Sequence, residues 1–295
     1  MKRIVLIGLI VFSPLVSAKS RLYNLSPFFN GMDRAEFVSV DGEFGPTLKG
    51  ELKGKDGGRY SLPDVCESEG GAAEISDAYT VKAKEIYFVF TCAWSVQHSG
   101  IGLSGIQYET FIYGGNGLNS VLRKETLSQA LSSYEGSLEG GESSYAWYVE
   151  RMIAREKILE LEAGLSKDSL ELAHSIVLAR LKSRDYTAIK SYLSVERVRQ
   201  LYLDFPVSKS TVIAYNDFGY ALGLSGEEGM AYEVLKKVET VEPNRVVLKL
   251  NIADVLWGSD KEKSKAYYRE YVGAMKKLGR EKLIPSNALE RGLSD

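Results

Sequence analysis

Val212-Ile213-Ala214-Tyr215-Asn216-Asp217-Phe218-Gly219-Tyr220-Ala221-Leu222-Gly223-Leu224 opens a run that continues to Arg245. Tyr215, Phe218, Gly219 and Leu222 recur at steps of three and four, which puts them on one face of a helix. Gly226 then offers a turn. Ala231, Leu235 and Val238 repeat the helical step, and Pro243 closes the run. The residue types suit two helices packed as a hairpin. Gly219 and Ala231 let the backbones approach, while Phe218, Leu222 and Leu235 fill the space between them and toward their neighbours. Pro243 ends one helix and is suited to open the next.

The pattern recurs. Ile252, Ala253 and Leu256 fall one unit after Phe218, Gly219 and Leu222, and Asp260 stands where Gly226 stood. A one-residue insertion then brings Ala266 against Ala231. Upstream, Ala188, Tyr192 and Val195 mimic the second-helix spacing in a degenerate unit. Over these units the chain resembles the tetratricopeptide repeat, a helix–turn–helix of about 34 residues. The resemblance implies a solenoid that binds a protein or peptide on a concave surface lined by the first helix of each hairpin. Carried onto this sequence, the groove positions are Asn216 and Tyr220, then Leu250 and Asp254 one unit later. Asn offers paired donor and acceptor groups to an extended backbone, and Tyr an apolar anchor with one polar tip. An ordinary helical bundle is the competing reading.

Further helices are expected on both sides. Trp147, Arg151, Ala154, Ile158 and Leu161 share a helical face, and Asp168 with Glu171 forms a candidate cap for the next helix. Apolar spacing then suggests helices over Tyr186–Leu203, Lys209–Leu224, Glu228–Val241, Arg245–Trp257 and Lys261–Leu278. Upstream the period changes to two. Thr47–Lys53 and Tyr79–Lys84 alternate, as a half-buried strand does. Ile86–Phe90 is continuously apolar, which suits a central strand covered on both faces, with Cys92 at its end. Ile106–Tyr113 is another strand. Residues 114–144 read as a connection carrying a short helix near Ser120–Ser133. The fold class is therefore α+β: a signal peptide at 1–18, a β-rich domain at 19–140 and an all-α array at 141–295.

Met1-Lys2-Arg3, the apolar run Ile4–Phe12 and the exit Val16-Ser17-Ala18 have the three parts of a secretory signal peptide. The apolar run is shorter than the roughly 20 residues a membrane span needs. These features indicate a periplasmic or secreted protein. The chain has two cysteines, Cys66 and Cys92. In an oxidising compartment such a pair is expected to bridge. The 37 basic and 39 acidic residues give a net charge of −2, and cleavage after Ala18 removes Lys2 and Arg3 but no acid. A mildly acidic chain argues against nucleic acid, whose phosphates require clustered Lys and Arg.

Chemical motifs are sparse. Gly100-Ile101-Gly102-Leu103-Ser104-Gly105 has the letters of a dinucleotide fingerprint, but a strand follows where that motif needs a helix, so it reads as a hairpin connection. His98 lies among Ser95, Ser99 and Ser104 without the full nucleophile-elbow pattern. His174 lies beside Ala173 and Val177 and reads as a packed or rim histidine. Cys66, Cys92, His98 and His174 show no metal-ligand spacing. No catalytic residue, metal or cofactor is expected. The leading functional reading is a non-enzymatic extracytoplasmic protein that binds a protein or peptide partner. Two alternatives stand beside it: an immunity protein against a toxin delivered to the periplasm, and a hydrolase with its site near His98.

Overall fold

The computed structural model describes residues 20–42, 45–67 and 70–293, and the chain divides into two compact units, 1–149 and 150–295. The expected signal peptide lies outside the described residues. The fold is α+β, with antiparallel sheets in the first unit and a helical array in the second.

In the first unit β1 (Arg21–Phe29), β2 (Met32–Gly42), β3 (Gly45–Gly54) and β4 (Arg59–Cys66) form one antiparallel sheet in chain order. The second sheet holds β5 (Glu74–Lys82), β6 (Ile86–His98), β7 (Leu103–Gly114), β8 (Leu122–Arg123), β9 (Ser133–Ser137) and β10 (Ser143–Ser144). Its order is β10-β9-β7-β6-β5, with β8 beside β7. The inward residues of both sheets make one aromatic core. Phe37 meets Phe90 at 5.2 Å and Phe90 stacks on Phe111 at 4.8 Å. Leu25, Phe29, Leu52, Phe88 and Tyr113 complete it.

Side chains close the two sheets on each other. Thr80 donates to the Pro27 carbonyl at 2.7 Å and Arg21 to the Ile75 carbonyl at 2.9 Å, joining β5 to β1. Elsewhere, Asp64 of β4 accepts from the Tyr113 hydroxyl and, at 3.0 Å, from Arg123. Cys66 and Cys92 are bonded and fully buried within the core. The bridge therefore ties β4 to β6, strand to strand, and Cys92 lies within β6 because that strand runs on to His98.

The long edge of β7 is satisfied piece by piece. β9 pairs with Ser104–Tyr108 and β8 with Tyr113 and Gly114. Between them lies α1 (Glu125–Leu131). Its Ser128 and the following Ser132 accept the amides of Ile112 and Thr110 at 3.0 and 2.9 Å. A strand edge left open here would be a template for pairing with another chain.

The second unit is a series of helices: α2 (Arg151–Glu162), α3 (Leu170–Ser183), α4 (Tyr186–Tyr192), α5 (Val195–Asp204), α6 (Val212–Leu224), α7 (Glu228–Val241), α8 (Val246–Leu256), α9 (Lys261–Lys277) and α10 (Ser286–Leu293). α3/α4, α6/α7 and α8/α9 are hairpins, and their first helices lie side by side, α3 on α6 and α6 on α8. α10 packs on α9 and closes the series. Gly226 turns the middle hairpin with φ 82°, while the first hairpin uses Arg184 at φ 58°, a conformation that L side chains rarely adopt.

Gly219 is required by contact. A Cβ there would stand 2.5 Å from Leu235 Cγ of α7, and one on Gly223 would stand 2.8 Å from Val255 Cγ2 of α8. α5 is inserted between the first two hairpins. Tyr202 stacks on Tyr215 at 5.1 Å, and the Tyr215 hydroxyl donates to the Phe205 carbonyl at 2.6 Å.

Four local expectations are corrected. Trp147 is not helical: it stacks on Tyr145 at 5.2 Å, the Glu135 carboxylate holds the Ala146 amide at 3.2 Å, and the helix starts at Arg151. Asp168 is not a cap. Ser169 caps α3, and Asp168 is buried, accepting from Lys157 and from Tyr192, each at 2.8 Å, and from Arg197. The single helix over Tyr186–Leu203 is two, because the Ser194 side chain accepts the Arg197 amide and starts α5 anew. The helix near Ser120–Ser133 is limited to α1, as the chain before it turns and pairs with β7.

Two outcomes follow. The bridge spans a sequence separation of 26, for which the chain-entropy model gives about 3 kcal/mol. The double variant Cys66→Ser with Cys92→Ser is expected to lower the unfolding free energy of the first unit by that amount in denaturant titration. Gly219→Leu is expected to destabilise the second unit by about 3 kcal/mol or more, since the new side chain would overlap the fully buried Leu235; calorimetry of the purified chain measures it.

Candidate functional site

The outer side of the first helices is the surface to which the repeat spacing points. On α6 it consists of Ile213, Asp217, Tyr220 and Leu224, one stripe at helical spacing. The corresponding stripe of α3 carries Glu171, His174, Ser175 and Leu178, and that of α8 carries Val247, Leu250 and Asp254. Leu178, Ile213, Tyr220, Leu224 and Val247 are 41 to 55% exposed. Exposed apolar side chains gathered on adjacent helices are what a binding surface requires.

A chain of polar contacts holds these helices in register. His174 Nε2 of α3 lies 2.8 Å from Asp217 Oδ2 of α6, and the His174 ring stands edge-on to Phe218 at 5.9 Å. The Asn216 amide donates to Asp217 at 3.2 Å, and the Asn251 amide of α8 donates to Asn216 Oδ1 at 3.3 Å. Buried amides without partners are costly, so Asn216 and Asn251 fix how α6 meets α8.

The four groove positions fare differently. Tyr220 faces outward, and Leu250 is half-buried. Asn216, expected to face a ligand, is 2% exposed; it sits on the side of α6 that α8 covers, so its Oδ1 accepts from Asn251 and its Nδ2 donates to Asp217. Asp254 reaches its own neighbours. It accepts from Tyr268 of α9 and lies 3.6 Å from Arg291 of α10. Burial is the largest influence on the Asp254 carboxyl and raises its pKa, against the Tyr268 hydrogen bond and the Arg291 charge. Burial also pushes the Tyr268 hydroxyl up to about 12, assisted by Asp254. Ile213, Leu224 and Val247 went unselected in the sequence. Their signal was the pairing of Ile213 with Val247 one unit apart.

A second network joins α7, α8 and α9. Glu239 accepts from Lys236, from Lys249 at 2.8 Å and from the Tyr267 hydroxyl at 3.0 Å, and Lys249 also pairs with Glu270 at 2.9 Å. Burial opposes the charge on Glu239, but hydrogen bonds from Lys236, Lys249 and Tyr267 outweigh it and hold the pKa below the ordinary 4.5.

Of the residues considered for chemistry, His174 lies on the α3 stripe, and Cys66, Cys92, His98 and Gly100–Gly105 belong to the first unit. His98 is exposed at the end of β6, where its backbone pairs with Leu103, and its side chain forms no hydrogen bond or ion pair with the described residues. Gly100–Gly105 is the β6–β7 connection and the start of β7. No group of His, Cys, Asp or Glu among the described residues is arranged to hold a metal ion, and no described helix is long and apolar enough to cross a membrane. No protein-family model matches the chain, and no curated protein matches it.

The Glu239 network makes stability depend on pH. A carboxylate whose folded pKa is depressed contributes stability above its unfolded value and loses it as pH falls through the folded value. Glu239→Gln is expected to cost about 1–2 kcal/mol above about pH 5, and the difference from wild type is expected to vanish progressively in more acid solution. Thermal unfolding of both proteins across that range measures it.

Proposed function

We propose that this chain is an exported, non-enzymatic binding protein that works in the periplasm or beyond it. Its helical hairpins act as a tetratricopeptide-type array, and a protein or peptide partner docks along α3, α6 and α8. The observation that carries this reading is the exposed apolar stripe of Leu178, Ile213, Tyr220, Leu224 and Val247 on adjacent first helices. The helices beneath it are fixed by the His174–Asp217 and Asn216–Asn251 contacts. A preformed surface loses little entropy on binding, and Tyr220 has the aromatic character common in binding hot spots. Asp217 and Glu171 add polar rim, so the partner segment is of mixed polarity rather than strongly charged.

The test starts from the mature chain, used to recover a partner from envelope extract, which is then purified and titrated. The double variant Ile213→Asp with Val247→Asp places charge in the stripe without touching the helix contacts. Affinity is expected to fall at least about tenfold while thermal unfolding stays unchanged. Binding at wild-type affinity would move the site off the array. The nature of the partner separates an assembly adaptor from an immunity protein: a toxin whose activity is blocked on binding assigns the latter.

A further inference from the structure

The end of α9 and the turn after it read Lys276-Lys277-Leu278-Gly279-Arg280-Glu281-Lys282-Leu283. Every one of these residues is exposed, while Met275 before them and Ile284 after them are buried. The stretch sets four cations against one acid, Glu281, in a chain whose net charge is −2. Between the cations stand two leucines, Leu278 at 55% and Leu283 at 68% exposure.

Backbone hydrogen bonds fold the stretch into one tight reversal. The Gly279 amide donates to the Lys276 carbonyl and the Arg280 amide to the Met275 carbonyl, each at 3.0 Å, with Gly279 at φ 65°. This is a left-handed helix end of the kind glycine permits. A single 3-10 turn, Glu281–Leu283, follows, and the amides of Leu283 and Ile284 close it on the carbonyls of Arg280 and Glu281 at 3.0 and 3.1 Å. Buried Met275 and Ile284 hold both ends, so the exposed side chains share a short, fixed backbone.

The cations are uncommitted. Among the described residues no side-chain hydrogen bond or ion pair engages Lys276, Lys277, Arg280 or Lys282. Elsewhere in this unit Lys236, Lys249, Arg245 and Arg291 each have an acid beside them. Cations in the last turn of a helix complement its dipole, which accounts for Lys276 and Lys277. It does not account for Arg280 and Lys282, which lie beyond the helix, or for two leucines left in water.

We propose that this knob is a peripheral membrane contact that seats on an anionic phospholipid surface. Clustered Lys and Arg are drawn to anionic headgroups, and apolar side chains beside them add affinity by entering the boundary with the acyl chains. Long cationic side chains reach up to the headgroups while their stems and the leucines sit lower. Headgroups also move laterally to meet each cation. An acidic protein surface supplies fixed carboxylates but no hydrocarbon beneath them, so it leaves the leucines unused. The inference is independent of the groove on α3, α6 and α8, and its test needs no protein partner.

The experiment measures binding of the mature chain, without the apolar run Ile4–Phe12, to phosphatidylethanolamine–phosphatidylglycerol vesicles and to phosphatidylcholine vesicles. Two variants are compared with it: Lys276→Gln, Lys277→Gln, Arg280→Gln and Lys282→Gln together, and Leu278→Ser with Leu283→Ser. One cation near an anionic surface strengthens binding roughly fivefold. Binding to the anionic vesicles is therefore expected to fall at least about tenfold in the four-cation variant, and to weaken as salt shortens the screening length. The leucine variant is expected to bind at least about threefold more weakly, and thermal unfolding of both variants to stay unaltered. No binding to the anionic vesicles, equal binding to phosphatidylcholine, or undiminished binding by either variant would overturn the proposal. Binding of a polyglutamate peptide that depends on the four cations and not on the leucines would overturn it in favour of an acidic protein partner.

Discussion

The helical array depends on how near α6 comes to two neighbours at once. Gly219 admits Leu235 from α7, and Gly223 admits Val255 from α8. Those two absent side chains set the spacing of three helices. At that spacing the Asn251 amide reaches Asn216, and Tyr215, Phe218 and Leu222 are buried rather than left at a rim. Dense packing leaves little slack, so a displaced helix would open the amide pair and the aromatic contacts together. The exposed stripe on α6 is the remainder: what faces outward once both covered sides of the helix have been assigned.

The sandwich in the first unit follows a different logic. Its core is aromatic and its seams are polar. Phe37, Phe90 and Phe111 supply the burial, while Thr80, Arg21, Asp64 and Arg123 close the margins where the sheets meet. The buried bridge between Cys66 and Cys92 fastens the two sheets across that core. Beyond Ala93, where the pairing with β5 ends, β6 continues beside β7 to His98 with Trp94 in the core and Val96 packed against it.

Much of the architecture was legible in the primary sequence because it rests on period. The alternation of Leu48, Gly50 and Leu52, the apolar run at Ile86–Phe90 and the helical steps of Tyr215, Phe218 and Leu222 each report which side is covered. What escaped was set by partners distant in sequence. Asp168 looks like a cap until Lys157, Tyr192 and Arg197 surround it. Thr80 sits at a position of the alternation that should meet water, yet it is buried because it donates to Pro27. Asn216 was chosen for the groove by its repeat position, which locates a residue on the helix but not the neighbour that claims it. Ser194 is a local signal, a cap inside an apolar pattern, and it was masked by the continuous spacing around it.

The last helix bears on assembly. Stacked hairpins have no intrinsic stopping point, since each presents at its far side the surface on which the next is laid. If that surface were bare, a second molecule would find it complementary to its own leading hairpin, and head-to-tail addition around no closed axis produces filaments. α10 occupies the place. Ala288 is fully covered, Gly292 lies against the backbone of Tyr268, and Arg291 reaches Tyr268 at 2.6 Å while lying over the Trp257 ring at 4.3 Å. This two-turn helix thus covers part of α9, the surface on which a further hairpin would be laid.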